Sequence, residues 1–304
     1  MTELHPDLVG VRRVPTIPYN RVSVKLLSAL KMKGMTSNDE VSISSLTVPG
    51  PAGGPSIDLR VFQPRGLTAP APALFWIHGG GMVIGAAEQD DRTNAAFAKE
   101  LGITVVAARY RLAPGHPFPA PLDDVYAGLI GLFASAGELG VDPKRIAIGG
   151  ASAGGGLAAG VALVAHDRGE VAPMFQLLVY PMIDDRTLSK PDSKRFVWTT
   201  KANRFGWTSY VGHGVGGPDV SVYAAPARRE DLSGLPPAWI GVGDLDLFYD
   251  EDREYSRRLK AAGVECEFIT IPGAFHGFNA LFPSAPITQE FWQRQADALR
   301  KAFA

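Results

Sequence analysis

Ser152 lies at the centre of Gly150-Ala151-Ser152-Ala153-Gly154, a G-x-S-x-G run that follows an apolar, β-branched stretch and precedes an Ala-rich one. A strand that turns abruptly into a helix strains its central side chain, and only very small residues two places either side let the chains approach. Ser152 then projects from the sheet edge. The free N–H groups and positive dipole end of the following helix stand beside it, where they can hold a developing negative charge. Upstream, His78-Gly79-Gly80-Gly81 directly follows the apolar run Leu74-Phe75-Trp76-Ile77. Glycines there let the backbone turn its N–H groups into a site, as an oxyanion hole demands. Each motif alone reads equally as a Gly-rich structural turn. Together, in this order, they point to nucleophilic serine chemistry.

A serine hydroxyl is a weak nucleophile until a base removes its proton, and the base must in turn be oriented. Histidines stand at 5, 78, 116, 166, 213 and 276. His276, in Phe275-His276-Gly277-Phe278 between the last strand-like run and the C-terminal helical stretch, alone comes late enough for the order Ser, acid, His. His78 is expected to order the glycine loop. The acid belongs after a strand between Ser152 and His276, where Gly243-Asp244-Leu245-Asp246-Leu247-Phe248-Tyr249-Asp250 offers three carboxylates. Asp246 is the first choice and Asp244 the second, while Asp250 suits the start of a helix.

The elements that must position these groups are legible in the patterning. Strand-like runs occur at Val41–Val48, Ile57–Phe62, Ala73–Ile77, Ile103–Ala108, Arg145–Gly149, Met174–Tyr180, Ala238–Val242 and Cys266–Ile271. The first two alternate apolar and polar residues as antiparallel edge strands do; the third and fourth are continuously apolar, as in a sheet covered on both faces. Helical stretches at Gln89–Leu101, Leu122–Ala134, Gly154–Ala165, Asp250–Ala262 and Ile287–Ala302 alternate with the later runs. The class is α/β with a mostly parallel eight-stranded sheet flanked by helices. Two regions fall outside the alternation: an N-terminal stretch carrying Val22, Leu26, Leu27 and Leu30 on one helical face beside Lys25, Lys31 and Lys33, and the Trp-, Phe- and Gly-rich segment 184–218. The apolar N-terminal face is expected to pack, with membrane-surface binding as the alternative.

Composition narrows the possibilities further. The 304 residues carry 30 Lys and Arg against 31 Asp and Glu, with no basic tract, so a nucleic-acid partner is not expected. The single cysteine, Cys266, excludes an internal disulfide and a Cys-rich zinc site, and its alternating surroundings suggest a core thiol. The N-terminal residues lack a secretory pattern, so a cytoplasmic location is expected. Residues 146–165 hold no charge, but six of them are Gly. They read as a buried strand, turn and helix rather than a membrane span.

At these residues the chain resembles the hormone-sensitive-lipase-like carboxylesterases, the bacterial family IV esterases of the α/β-hydrolase fold. The likeness includes HGGG, GxSxG, Tyr110-Arg111-Leu112-Ala113-Pro114, His116-Pro117-Phe118-Pro119-Ala120, Tyr180-Pro181, Leu235-Pro236-Pro237-Ala238 and His276-Gly277-Phe278. The resemblance implies a triad of Ser152, Asp246 and His276, with oxyanion donors from the backbone of Gly79, Gly80 and Ala153. It also implies a helical cap, giving residues 1–40 as its N-terminal part, 41–182 and 219–304 as the catalytic domain, and 183–218 as the cap insertion. Three positions depart from the family pattern. Ala151 stands for the Asp of GDSAGG, Leu247 for the Pro of DPL, and Gly115 for the Glu of PEHPFP; none removes a triad member.

The expected function is hydrolysis of short- to medium-chain carboxylic esters through an acyl-enzyme, with no cofactor or metal. The partner is a small ester, and a homodimer is common among proteins of this kind. Met82, Trp198, Phe205, Trp207 and Tyr210 are expected to supply apolar pocket walls. An amidase or lactonase using the same triad, or a non-catalytic binding protein on the same fold, is the alternative; the latter usually lacks the base that His276 provides. A nucleotide-binding reading of Gly154-Gly155-Gly156-Leu157-Ala158-Ala159 is weak, because that fingerprint belongs to a first β-α unit.

Overall fold

In a computed structural model, which describes residues 3–14, 18–29, 32–189 and 196–304, eight strands form one sheet. In chain order they are β1 (Val41–Val48), β2 (Ile57–Pro64), β3 (Ala71–Ile77), β4 (Thr104–Ala108), β5 (Val141–Ala151), β6 (Gln176–Val179), β7 (Ala238–Gly243) and β8 (Cys266–Ile271). Their spatial order is β1-β2-β4-β3-β5-β6-β7-β8. β2 runs antiparallel to both β1 and β4, and every pairing from β4 to β8 is parallel. The alternating pair therefore forms one edge, while the continuously apolar β3 and β4 lie inside, covered on both faces.

The helices are α1 (Arg21–Ala29), α2 (Asp91–Leu101), α3 (Ala120–Ala134), α4 (Ala153–Arg168), α5 (Thr200–Val211), α6 (Tyr249–Ala261), α7 (Phe278–Leu281) and α8 (Pro286–Phe303). Two apolar cores result from the period-two alternation of the strands. On one face Phe75, Val106, Ile148, Leu178 and Ile240 pack with α3, α4 and α5. On the other, Leu74, Trp76, Val105, Leu177 and Trp239 pack with α2, α8 and the N-terminal Leu8 and Val11. Cys266 is buried in the first core, with burial pushing its thiol up. Among the described residues no helix is long and apolar enough to cross a membrane.

Two expectations need correction. β5 begins at Val141, four residues before the expected start, because Asp142 and Lys144 are polar and hid the strand; a register shift between Ala71 and Ala73 accommodates the extension. α1 is rotated from its expected seating. Val24 is buried, whereas Val22 and Leu26 are 70% and 66% exposed. At 100° per residue Val24 lies on the opposite side from that pair, so the face read as packing faces solvent. Leu30 and Lys31 lie outside the described residues.

The segment after β6 is pinned at its base by two buried carboxylates. Glu251, in the first turn of α6, accepts from the N–H groups of Ile183 and Asp184 and from the Thr187 hydroxyl. Asp185 accepts from Gly216 N and from the Arg228 guanidinium, so one side chain closes the segment from both ends.

Candidate active site

The turn from β5 to α4 is as abrupt as the sequence demands. Ala151 ends the strand, Ala153 starts the helix, and Ser152 between them has φ 58° and ψ −121°. A non-glycine residue held at such angles stores roughly 1–3 kcal/mol of strain. The flanking glycines make the turn possible. A Cβ on Gly150 would lie 2.5 Å from the Gly154 carbonyl, and one on Gly154 would lie 2.1 Å from the Ile77 carbonyl oxygen. Ser152 N donates to Val179 O, and its carbonyl accepts from Gly156 and Met182, so the backbone is held from three directions.

His276 arrives from the loop after β8. Asp244 clamps that loop by accepting from Gly273 N at 2.7 Å, and Leu245 N donates to Ala274 O. The imidazole is buried, with Nε2 2.8 Å from Ser152 Oγ and Nδ1 2.8 Å from Asp246 Oδ2. An ionised carboxylate can only accept, so Nδ1 carries the proton and Nε2 is left to accept from the serine hydroxyl. The other Asp246 oxygen accepts from Phe248 N at 2.9 Å. Tyr180 and Phe248 set their rings edge-on to the imidazole, at 4.8 and 5.0 Å between centroids.

Above the serine runs the glycine loop. The N–H groups of Gly79, Gly80 and Ala153 donate to no acceptor among the described residues. A Cβ on Gly79 would lie 2.8 Å from Ala151 O, and Gly80 has φ 120°. His78 shapes the loop from beneath. Its ring stacks on Tyr110 at 4.2 Å, Nδ1 lies 2.8 Å from Gly79 O, and the Tyr110 hydroxyl donates to His78 O. Burial lowers its pKa to about 4, so the ring stays neutral and donates from Nδ1.

The sequence profile of the α/β-hydrolase fold family matches residues 74–280, from β3 through α7 and so across all three of these groups. The chain belongs to the hormone-sensitive-lipase-like α/β-hydrolases. This hydrolase is 36% identical over 271 residues to the carboxylesterase NlhH of Mycobacterium tuberculosis, covering 86% of this chain and 83% of that protein. It is 28% identical to an ethyl acetate hydrolase of Pseudomonas putida, covering 90% and 92%. Among solved structures, a bacterial heroin esterase superposes with a TM-score of 0.90 at 39% identity, covering 99% and 98% of the two chains. With esterases matching across most of its length, the hydrolase is a carboxylic ester hydrolase.

The hydrolase has a cavity of about 760 Å³ lined by Ser152, His276 and Gly79–Gly81, and by Tyr19, Val197 and Trp198 from the segments outside the α/β alternation. Trp198 closes over the glycine loop, where its ring would lie 2.1 Å from a Cβ on Gly81, and Tyr19 packs edge-on against it at 5.0 Å. The other expected wall residues are elsewhere. Met82, Trp207 and Tyr210 are fully buried in the core, and Phe205 is half-buried against it. For Trp207 and Tyr210 the reason is helical spacing: with Ala202, Asn203 and Gly206 they form the stripe by which α5 seats on the body, and Phe205 falls beside it. Residues that the sequence reading missed, Trp76, Asp90, Tyr180 and Asn279, line the cavity instead. Trp76 and Tyr180 were visible within quoted motifs, but nothing in a strand's pattern says which side chain reaches a site at its end.

The glycine run at the start of α4 has a packing explanation. Gly154 lies against the end of β3, and Gly155 and Gly156 against Pro181 and Met182, each closer than a side chain permits.

Proposed function

We propose that this carboxylic ester hydrolase works through an acyl-enzyme on Ser152, with His276 as general base and then acid, and Asp246 as the carboxylate that orients it. The observation that carries the reading is the continuous chain from Ser152 Oγ through the buried imidazole to Asp246, two contacts of 2.8 Å each. Ser152 attacks the ester carbonyl as its proton passes to Nε2, and Asp246 stabilises the imidazolium without taking the proton. Unengaged N–H groups at Gly79, Gly80 and Ala153 support their role as oxyanion donors. The alcohol leaves with the proton from His276, and water, activated by the same base, releases the acid.

Ser152→Ala is expected to lower kcat by about 10⁴–10⁶. Fluorophosphonate labelling with peptide mapping checks the nucleophile directly, and label on any other residue would refute the assignment. The substrate class is short- to medium-chain esters, within a cavity whose volume is that of a small-ligand site. A p-nitrophenyl series from acetate to dodecanoate tests this, and peak activity at decanoate or beyond would overturn it. Residues 1–40 and 183–218 are read as the cap, supported by the place of Tyr19, Val197 and Trp198 on the cavity wall. A cytoplasmic location and a homodimer complete the reading, to be checked by fractionation and light scattering.

A further inference from the structure

Away from the triad, the cavity wall that runs between α2 and α8 is polar. Asp90 occupies the residue before α2, where an aspartate ordinarily accepts from the helix's own free N–H groups, yet it makes no capping bond. Its Oδ2 accepts instead from Trp76 Nε1 at 2.8 Å. Among the described residues nothing donates to Oδ1, and no Lys or Arg pairs with the carboxylate. The neighbouring Asp91 is engaged by Arg60 through two bonds, of 3.0 and 2.6 Å. From α8, on the same cavity, Thr288 Oγ1 and Trp292 Nε1 are buried without a partner.

Arg92 and Glu100 line the same cavity, but among the described residues neither is paired with the half-buried Asp90. A carboxylate held partly out of water with no cation in contact is unfavourable, and the fold normally supplies a partner. Here the partner's place is open to the substrate. Burial raises the Asp90 carboxyl to about 6; the Trp76 bond pulls it down and the Asp91 charge pushes it up further. It is therefore mainly ionised at mildly alkaline pH, where a neutral imidazole base works. Trp76 and Trp292 line the same space, Trp76 with its N–H on Asp90 and Trp292 with one ring face stacked on Phe97 at 5.3 Å.

We propose that Asp90 is a substrate-binding residue that pairs with a protonated amine on the non-reacting part of the ester, so that amine-bearing esters are preferred to their neutral isosteres. The inference rests on the acyl-enzyme reading of the same site. Thr288 and Trp292 supply one hydroxyl and one N–H for polar atoms beside the amine.

Two matched pairs test it at mildly alkaline pH, with acid release followed by titration. They are dimethylaminoethyl acetate against isopentyl acetate, and ethyl γ-dimethylaminobutanoate against ethyl isoheptanoate. The amine sits on the alcohol in one pair and on the acyl group in the other. The wild-type enzyme is expected to favour the amine in at least one pair by about tenfold in kcat/KM, and Asp90→Asn to collapse that ratio to near one. Because the readout is a ratio, general damage to the variant cancels. Neutral esters turned over equally well in both pairs, or a preference untouched by Asp90→Asn, would overturn the proposal. Fluorophosphonate labelling of the same preparation separates the two readings: label on Ser152 without amine preference sinks this inference alone, and absence of label sinks both.

Discussion

Asp244 and Asp246 lie two residues apart in one turn, yet their oxygens serve different partners. Asp244 holds the backbone of the His276 loop through Gly273 N, whereas Asp246 holds the imidazole itself. Asp246→Asn keeps the shape but offers His276 an amide in place of an acceptor of fixed charge, so the ring can be held in the wrong tautomer. Its kcat is expected to fall by about 10⁴. Asp244→Asn should lower thermal stability and leave most of the turnover. Comparable kcat losses in the two variants would undo the division of labour. At this scale chain order, Ser152 then Asp246 then His276, picks out three residues that the structure brings into hydrogen-bond contact. The sequence misled where only residue type was available. Met82 follows the glycine run and Trp207 and Tyr210 belong to the segment 184–218, and the same apolar character that suits a pocket wall drove them into the core. Asp90 was unreadable for the converse reason, since an aspartate in the first turn of the helical stretch Gln89–Leu101 looks like a complement to the helix dipole.

Each element is positioned by a close approach that fixes its neighbour. α4 can start at Ala153 only because Gly154 leaves room for the end of β3. Gly154→Ala would drive a Cβ to 2.1 Å from a backbone oxygen, which cannot swing aside. Destabilisation of about 3 kcal/mol or more is expected, at the upper end of overpacking effects. Gly137 makes the contrast. A Cβ there meets nothing within 4 Å, so Gly137→Ala should leave the melting temperature near that of the wild type. Equal melting temperatures for both variants would show that the turn relaxes more freely than its geometry implies. Elements marked by alternation, by a continuous apolar run or by helical spacing were legible, which is why all eight strands and the five main helices stood out. α5 was hidden because its buried stripe carries Asn203 and Gly206 among the aromatics. Closure of the 183–218 segment by Asp185 was beyond reach as well: Gly216 and Arg228 meet that carboxylate across 31 and 43 residues. No local pattern encodes such a meeting.

For the molecule as a whole, the site leaves an opposed pair of titrations in the response to acid. His78, buried beneath the glycine loop, has its pKa depressed to about 4, chiefly by desolvation. In the unfolded chain it titrates near 6.5. Its contribution to stability is thus fully present above about pH 6.5 and is lost as pH falls through about 4, amounting to about 3 kcal/mol at most. Asp90 acts in the other direction. Its folded pKa is raised to about 6, chiefly by burial, so its contribution is present below the unfolded value of 3.8 and is lost as pH rises through about 6. Above that, the unpaired carboxylate destabilises by about 1–2 kcal/mol, after discounting for water entering the cavity mouth. Between pH 6 and 4 the two oppose each other, so removing either should unmask its partner. Urea unfolding across that range is expected to give His78→Asn a flatter loss of stability with acid than the wild type, whatever its absolute stability. Asp90→Asn should be more stable than the wild type at mildly alkaline pH and should lose stability more steeply on acidification. Parallel curves for the wild type and His78→Asn would mean that the imidazole is not kept neutral beneath the glycine loop. Parallel curves for the wild type and Asp90→Asn would mean that the carboxylate already has a partner, which the cavity could not then be reserving for a substrate.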